Sequence, residues 1–354
     1  MKALVLSGGT GTRLRPFSHS MPKQLIPVAN RPVLEHVLDG VRALGVSEVG
    51  IVVGDQARAI SEAVGDGSRF GLDLTYIRQD QPRGLAHAVQ VARPFLGADD
   101  FAMFLGDCLL ADGVTDVAER FRRDRPAADV VVHKVADPRA SGVVELDGDG
   151  GVVRLVEKPQ EPRSDLAIVG AYFFTLAIHA AVDGIRPSSR GELEITDAIQ
   201  WLVDRRAAVR ASEYAGYWKD LGQIEDVLDC NQYMLSGLRG LVAGEVDAAS
   251  VLDGDVVVEP GARVLRSRIE GPAIIGAGTL VEESSVGPHT SVGRDCVLRR
   301  TQLADSIVMD GARITAVRDL RRSLVGRAAT VGSGGPERGN RMLVGDHSRV
   351  EIVG

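Results

Sequence analysis

Aromatic side chains are scarce in this chain: two Trp, five Tyr and eight Phe, 4% of its 354 residues. Core volume must therefore come from Val, Leu, Ile and Ala, and an apolar content of 44% is enough to supply it. Cysteine is scarce too. Cys108, Cys230 and Cys296 are far apart, odd in number and free of any CxxC spacing, so neither a disulfide framework nor a zinc site is indicated. No apolar run is long enough to span a bilayer, and the short apolar start at residues 3–6 runs into glycines too soon for a secretory signal. The expected location is cytoplasmic. Positive charge is not in excess. A net charge of −7 does not suggest broad nucleic-acid or membrane binding, so an anionic substrate must meet a local cluster of Arg, Lys or metal.

A length of 354 residues suits two domains, and the texture changes once along the chain. The first two-thirds alternates strand-like and helix-like segments. Residues 3–7 read as a buried strand ending at Gly8-Gly9-Thr10-Gly11. Pro32 is expected in the first turn of a helix carrying Val33, Leu34, Val37, Leu38, Val41 and Leu44 on one face, with Gly45 ending it. Residues 49–53, 72–77 and 101–105 read as strands and residues 57–64 and 86–95 as the helices between them. This alternation predicts a mostly parallel sheet with helices on both faces, whose ligands bind beyond the carboxyl ends of the strands. Gly8-Gly9 and Gly106-Asp107 both fall at such ends. Residues 143–146 and 152–153 then flank the turn Asp147-Gly148-Asp149-Gly150. Further helices are expected over residues 192–203 and 223–235.

After about Gly240, apolar residues recur at Val251, Val257, Ile269, Ile275, Val281, Val286, Val292 and Leu298, mostly six apart, with five between Val281 and Val286. A six-residue repeat is the mark of a parallel β-helix, in which each repeat supplies one short strand and one corner. The segment Gly334 to Gly339 reads as a loop before a final short stretch.

The glycines after the first strand let the backbone approach a phosphate and aim N–H groups at it. A dinucleotide fingerprint would need a third glycine where Leu14 stands, and a Walker loop would need Gly-Lys followed by Ser or Thr; neither is present. What remains is a glycine loop followed by Arg13, Arg15 and Lys23, cations that suit a triphosphate and a pyrophosphate leaving group. A plain strand-to-helix turn would contain the same glycines. Asp107 could likewise be a turn residue or cap, Asp220 could cap the helix expected from Gln223, and Lys158 could be a solvated loop lysine.

Together, several segments resemble the sugar-1-phosphate nucleotidyltransferase family. They are Gly8-Gly9-Thr10-Gly11-Thr12-Arg13-Leu14, Lys23-Gln24-Leu25, Gln79-Asp80-Gln81-Pro82-Arg83-Gly84-Leu85-Ala86, Leu105-Gly106-Asp107, Gly142-Val143-Val144-Glu145, Val156-Glu157-Lys158-Pro159, Arg190 to Asp197, and Trp218-Lys219-Asp220, in the family's order. The resemblance implies a Rossmann-like mixed, mostly parallel sheet nucleotidyltransferase domain over residues 1–240 and a left-handed parallel β-helix of hexapeptide repeats over 241–354. It implies thymidylyl transfer from dTTP to glucose 1-phosphate, giving dTDP-glucose and pyrophosphate, with UTP or another nucleotide and a different sugar 1-phosphate as the alternative. Mg²⁺ held by Asp107 and Asp220 is implied, with Arg13, Lys23 and Lys158 stabilising phosphates. The nucleotide would meet Gly8, Gly9, Thr10, Gly11, Thr12, Arg13 and Asp107, and its base Gln79, Gly84 and Leu85; the sugar phosphate would meet Gly142, Glu157, Lys158 and Gly170.

The chain departs from the family's pattern in three places. Cys108 follows the metal Asp where Asn is frequent, Leu221 follows Asp220 where Thr is usual, and Ser141 precedes Gly142 where an aromatic is common. His87 and His133 are not required by this chemistry and read as structural or exposed. The tail's His289 and His347 lie in no recognisable acyl-transfer setting. A homo-oligomer is expected.

Overall fold

The computed structural model describes residues 1–9 and 11–332; Thr10, the loop expected at 334–339 and His347 lie outside them. Contacts divide the chain into two compact units that interleave along the sequence. One holds Met1–Thr10, Met21–Leu25 and Val33–Asp220; the other holds Gly11–Ser20, Ile26–Pro32 and the chain from Leu221 onward.

The first unit is built on a mixed sheet. Its central path runs Val152–Glu157, Gly142–Leu146, Leu166–Phe174, Phe101–Leu105, Lys2–Ser7, Glu48–Val53, Asp73–Arg78. The last four strands are mutually parallel, and Leu166–Phe174 joins them antiparallel. Ala128–Lys134 pairs with Leu166–Phe174 and carries Val209–Glu213 at its outer edge. Strand side chains alternate between faces. Ala3, Val5, Ile51, Ala102 and Phe104 enter one core with helices Val33–Ala43, Ala57–Val64 and Thr115–Asp124. Leu4, Leu6, Val52, Phe101 and Met103 enter the other with helices Leu85–Leu96, Ala177–Gly184 and Ile195–Asp204. Both faces are covered, which is why these strands are apolar without a break.

Two helix starts differ from the sequence expectation. The first helix begins at Val33, with Pro32 just outside it in a two-residue ladder opposite Pro27. Ala29 and Asn30 between them both have positive φ, the tight hairpin turn that lets two residues without N–H groups face each other. The helix expected from residue 192 begins at Ile195, because the backbone before it is engaged elsewhere. Ser188 N–H donates to Glu192 O, Leu193 N–H to Arg83 O, and Ala86 N–H to Leu193 O. Tertiary hydrogen bonds override local propensity there.

In the second unit, short parallel strands stack into three sheets, six, six and five strands deep. This is the parallel β-helix that the repeat predicts, with one modification. Most coils span 17 residues, pairing Ile269 with Val286 and Val281 with Leu298, where three hexapeptides would need 18. The missing residue belongs to one corner, which Arg266, Glu283 and Arg300 turn with φ of 45°, 49° and 51°. Beside that corner runs a ladder of buried hydroxyls: Ser267 Oγ accepts from Ser284 N–H at 3.0 Å, and Ser284 Oγ from Thr301 N–H at 3.1 Å. Val264, Ile269, Ile275, Val281, Val286, Val292 and Leu298 fill the bore, all with no exposed surface. Asn231, on helix Ile224–Ser236, ties the proline hairpin to this stack. Its Oδ1 accepts from Ala29 N–H and from Ser291 Oγ, each at 2.9 Å, and its Nδ2 donates to His289 O at 3.2 Å. No helix among the described residues is long and apolar enough to cross a membrane, and the three cysteines are buried and not joined in disulfides.

Candidate active site

Strand Lys2–Ser7 is the point where strand order reverses: Glu48–Val53 and then Asp73–Arg78 lie on one side of it, and Phe101–Leu105 on the other. Two loops leaving neighbouring strands in opposite directions open a crevice at their carboxyl ends, where ligands of such sheets bind. Gly8-Gly9 and Gly106-Asp107 start there side by side. Gly106 is required by the closeness of the two: its N–H donates to Leu6 O at 2.9 Å, and a Cβ would stand 2.4 Å from Ser7 Oγ. A Cβ on Gly9 would stand 3.2 Å from Lys23 Cε, and one on Gly8 3.2 Å from Gln79 Oε1. Lys23 and Gln79 thus border the glycine turn.

Asp107 is buried and ion-paired with Lys23. It caps no helix, since the chain continues as strand Cys108–Leu110. That strand pairs antiparallel with Trp218–Asp220, which sets Asp220 opposite Cys108. The ligand atoms of Asp107, Cys108 and Asp220 all lie within 4.8 Å of one another. Nor does Asp220 cap the following helix, whose capping box is Gln223 with Asp226. Burial works against the charge on Lys23, but Asp107, by Coulomb attraction and a hydrogen bond, and then Asp220 and Cys108 outweigh it and hold its pKa above the usual value. Gly170 sits at a register shift in strand Leu166–Phe174 with φ of 80°, where a Cβ would come within 3.1 Å of Cys108 Sγ.

At the other side of the turn, Gln79 is buried rather than an exposed strand end. Its Nε2 lies 2.9 Å from His87 Nδ1 and 3.4 Å from Gly84 O. Gly84 precedes helix Leu85–Leu96 with φ 100° and ψ 171°, and Leu85 opens that helix. His87 is therefore a functional candidate that the sequence reading passed over. Its spacing, one turn into the helix after Gly84, was the available signal.

Three of the residues expected at the sugar phosphate, Gly142, Glu157 and Lys158, also converge, while Gly170 lies against Leu105 and Cys108. A Cβ on Gly142 would stand 3.2 Å from Glu157 Oε2, which accepts from Thr196 Oγ1 at 3.3 Å. Glu157 Oε1 is 3.6 Å from both Lys158 Nζ and Arg190 Nη2, while Arg154 pairs with Glu145 instead. Burial raises the Glu157 pKa; Lys158 pulls it down, Glu194 pushes it up and Arg190 lowers it again. Arg190, bonded to buried Glu194 through Nε and Nη2, is a second candidate, which the sequence reading names only as the start of a family segment, without a role. Tyr172 is buried between strands of the same sheet. Its phenol pKa is raised by burial and then by Glu157 and Cys108.

Arg13 belongs to the second unit. Gly11, with φ of 62°, starts a 3₁₀ turn over Thr12–Leu14, and the Arg13 guanidinium lies 3.5 Å from the Cβ position of Gly222.

A glycine turn bordered by a lysine, two neighbouring carboxylates and a buried amide at a switch point can handle phosphates and read a base. The chain belongs to the nucleotidyl transferase family, whose model matches residues 2–237. It is 52% identical to a glucose-1-phosphate thymidylyltransferase of Streptomyces griseus, over 99% of each chain, and 51% identical to one of Streptomyces antibioticus over the same shares. Among solved structures it is similar to a Bacillus anthracis protein provisionally assigned as a glucose-1-phosphate thymidylyltransferase (TM-score 0.62, 31% identity, 65% of this chain and 94% of that one).

Proposed function

We propose that the chain transfers a thymidylyl group from dTTP to glucose 1-phosphate, releasing pyrophosphate and forming dTDP-glucose. The observation that carries this is the full-length likeness to the Streptomyces enzymes. The match over residues 2–237 supports a catalytic domain over 1–240, with the β-helix domain over 241–354 after it.

In the reaction an oxygen of the sugar phosphate bonds to the α-phosphorus, and the bond from that phosphorus to the β-bridging oxygen breaks. The nucleophile is already anionic, so the obstacle is repulsion between phosphates rather than a proton. Gly8, Gly9, Gly11 and Thr12 offer backbone groups to the triphosphate. Lys23 and Arg13 stabilise the α-phosphate and the departing pyrophosphate. Gln79 reads the base, with Gly84 and Leu85 beside it; Gly142, Glu157 and Gly170 hold the sugar, and Lys158 its phosphate.

Asp107 and Asp220 fit a hard divalent cation: they are carboxylates and they lie close together. Mg²⁺ held there would neutralise charge on the phosphate oxygens. Lys23, paired with Asp107, would hold its ammonium beside the phosphates. Buried cysteines without disulfides suit a reducing, cytoplasmic setting. A homo-oligomer belongs to the same proposal, and a monomeric mass by light scattering would remove it.

The test is a matrix of dTTP, UTP, ATP and GTP against glucose 1-phosphate and other sugar 1-phosphates, with products identified by mass spectrometry. Preference for dTTP and glucose 1-phosphate is expected. A clear preference for UTP or for another sugar 1-phosphate would overturn the assignment.

A further inference from the structure

The contact between Gln79 and His87 has no part in phosphate chemistry, yet it determines what Gln79 can offer a base. An amide nitrogen carries two hydrogens and accepts none, so His87 Nδ1, 2.9 Å away, must be the acceptor. The ring is then neutral, with its proton on Nε2. Burial and then the charge of Arg83 push the His87 pKa down, in keeping with a neutral ring. The second Nε2 hydrogen faces Gly84 O at 3.4 Å. Both donors of Gln79 are thereby engaged within the protein. Oε1 is left, and it points to the glycine turn, 3.2 Å from the Cβ position of Gly8.

We propose that His87 is a positioning residue that locks Gln79 as a hydrogen-bond acceptor, so that the site admits bases with an imino N–H at their pairing edge and rejects bases with a ring-nitrogen acceptor there. Thymine and uracil carry N3–H; cytosine presents an unprotonated N3 at the same place. An unlocked amide could turn over and donate Nε2–H to cytosine, and the two pyrimidines would then be served alike. Turned over, Oε1 would face the carbonyl of Gly84 as well as the ring nitrogen, so the two contacts together remove that second orientation. The inference deepens the reading above and rests on the base docking at Gln79.

The test compares kcat/KM for dTTP and dCTP, at saturating glucose 1-phosphate, in the wild type, His87→Ala and His87→Asn. The wild type is expected to prefer dTTP. Losing one hydrogen bond that fixes the amide should lower the dTTP-to-dCTP ratio about tenfold in His87→Ala. Asn places Oδ1 where Nδ1 stands and should restore most of the ratio, which a merely structural loss of the imidazole would not do. A His87→Ala ratio equal to that of the wild type, or a folded His87→Asn no more selective than the alanine variant, overturns the lock while leaving the reaction itself standing. A wild type that turns over neither nucleotide but is active with another substrate class overturns both.

Discussion

Replacing Gly84 by alanine tests how the base-reading turn is built. The residue has φ 100° and ψ 171°, a conformation that side chains avoid. A Cβ there would stand 2.4 Å from Leu193 O and 2.8 Å from Leu193 N. Both are backbone atoms, so no rotamer change relieves the clash. Leu193 is itself pinned, its N–H donating to Arg83 O at 2.7 Å and its carbonyl accepting from Ala86 N–H at 3.1 Å. The chain must give up the turn or the strap. Strain of about 1–3 kcal/mol and two hydrogen bonds worth about 0.5–1.5 kcal/mol each put the cost at about 2–6 kcal/mol. For a chain of this size that is a melting shift on the order of 3–8 °C. As Gly84 O withdraws from Gln79, the KM for dTTP should rise about tenfold, with a smaller change in the KM for glucose 1-phosphate. Thermal melting and steady-state kinetics with each substrate varied read both effects. A variant melting within about 2 °C of wild type with an unchanged KM for dTTP would refute the reasoning.

Two further substitutions probe other parts of the molecule. Asn231→Leu keeps the side-chain size but leaves Ala29 N–H, the Ser291 hydroxyl and His289 O without their partner, so it should cost about 2–4 kcal/mol, seen as a lower melting temperature. Glu157→Gln should stabilise the protein at pH 8 but not at pH 4, while raising the KM for the sugar phosphate. Burial places the folded pKa of Glu157 above the ordinary glutamate range, so the unfolded chain releases this proton first as pH rises. The wild type therefore loses stability through that window and the glutamine variant does not; the same melting gap at both pH values would count against it.

Legibility in the sequence followed locality. Residues 101–105 and 57–64 were read at their observed bounds because their apolar spacing and flanking turns agree with the fold. The β-helix was legible from its repeat, but its 17-residue coil was not. The shortened corner is turned by Arg266, Glu283 and Arg300, which carry no glycine signal for a positive φ. In the site, Lys23, Asp107 and Asp220 were legible as a set through the family's motifs, and the structure brings them together although 84 residues separate the first two. His87 and Arg190 were passed over because their roles come from partners that only folding supplies: Gln79 across the Gly84 turn, and Glu157 from another strand. The late start of helix Ile195–Asp204 has the same origin, since Arg83 and Ala86 hold the backbone of Leu193 out of the helix.

The central claim is that the neighbouring carboxylates at the switch point, with Lys23, support transfer of a nucleotidyl group to a sugar phosphate. The most direct test is pyrophosphate release with dTTP, glucose 1-phosphate and Mg²⁺, comparing wild type with Asp107→Asn. Release that needs both substrates and the metal is expected, falling about a hundredfold or more in the variant, several kcal/mol of lost charge stabilisation. Turnover in Asp107→Asn close to that of wild type, with the same metal dependence, would contradict it.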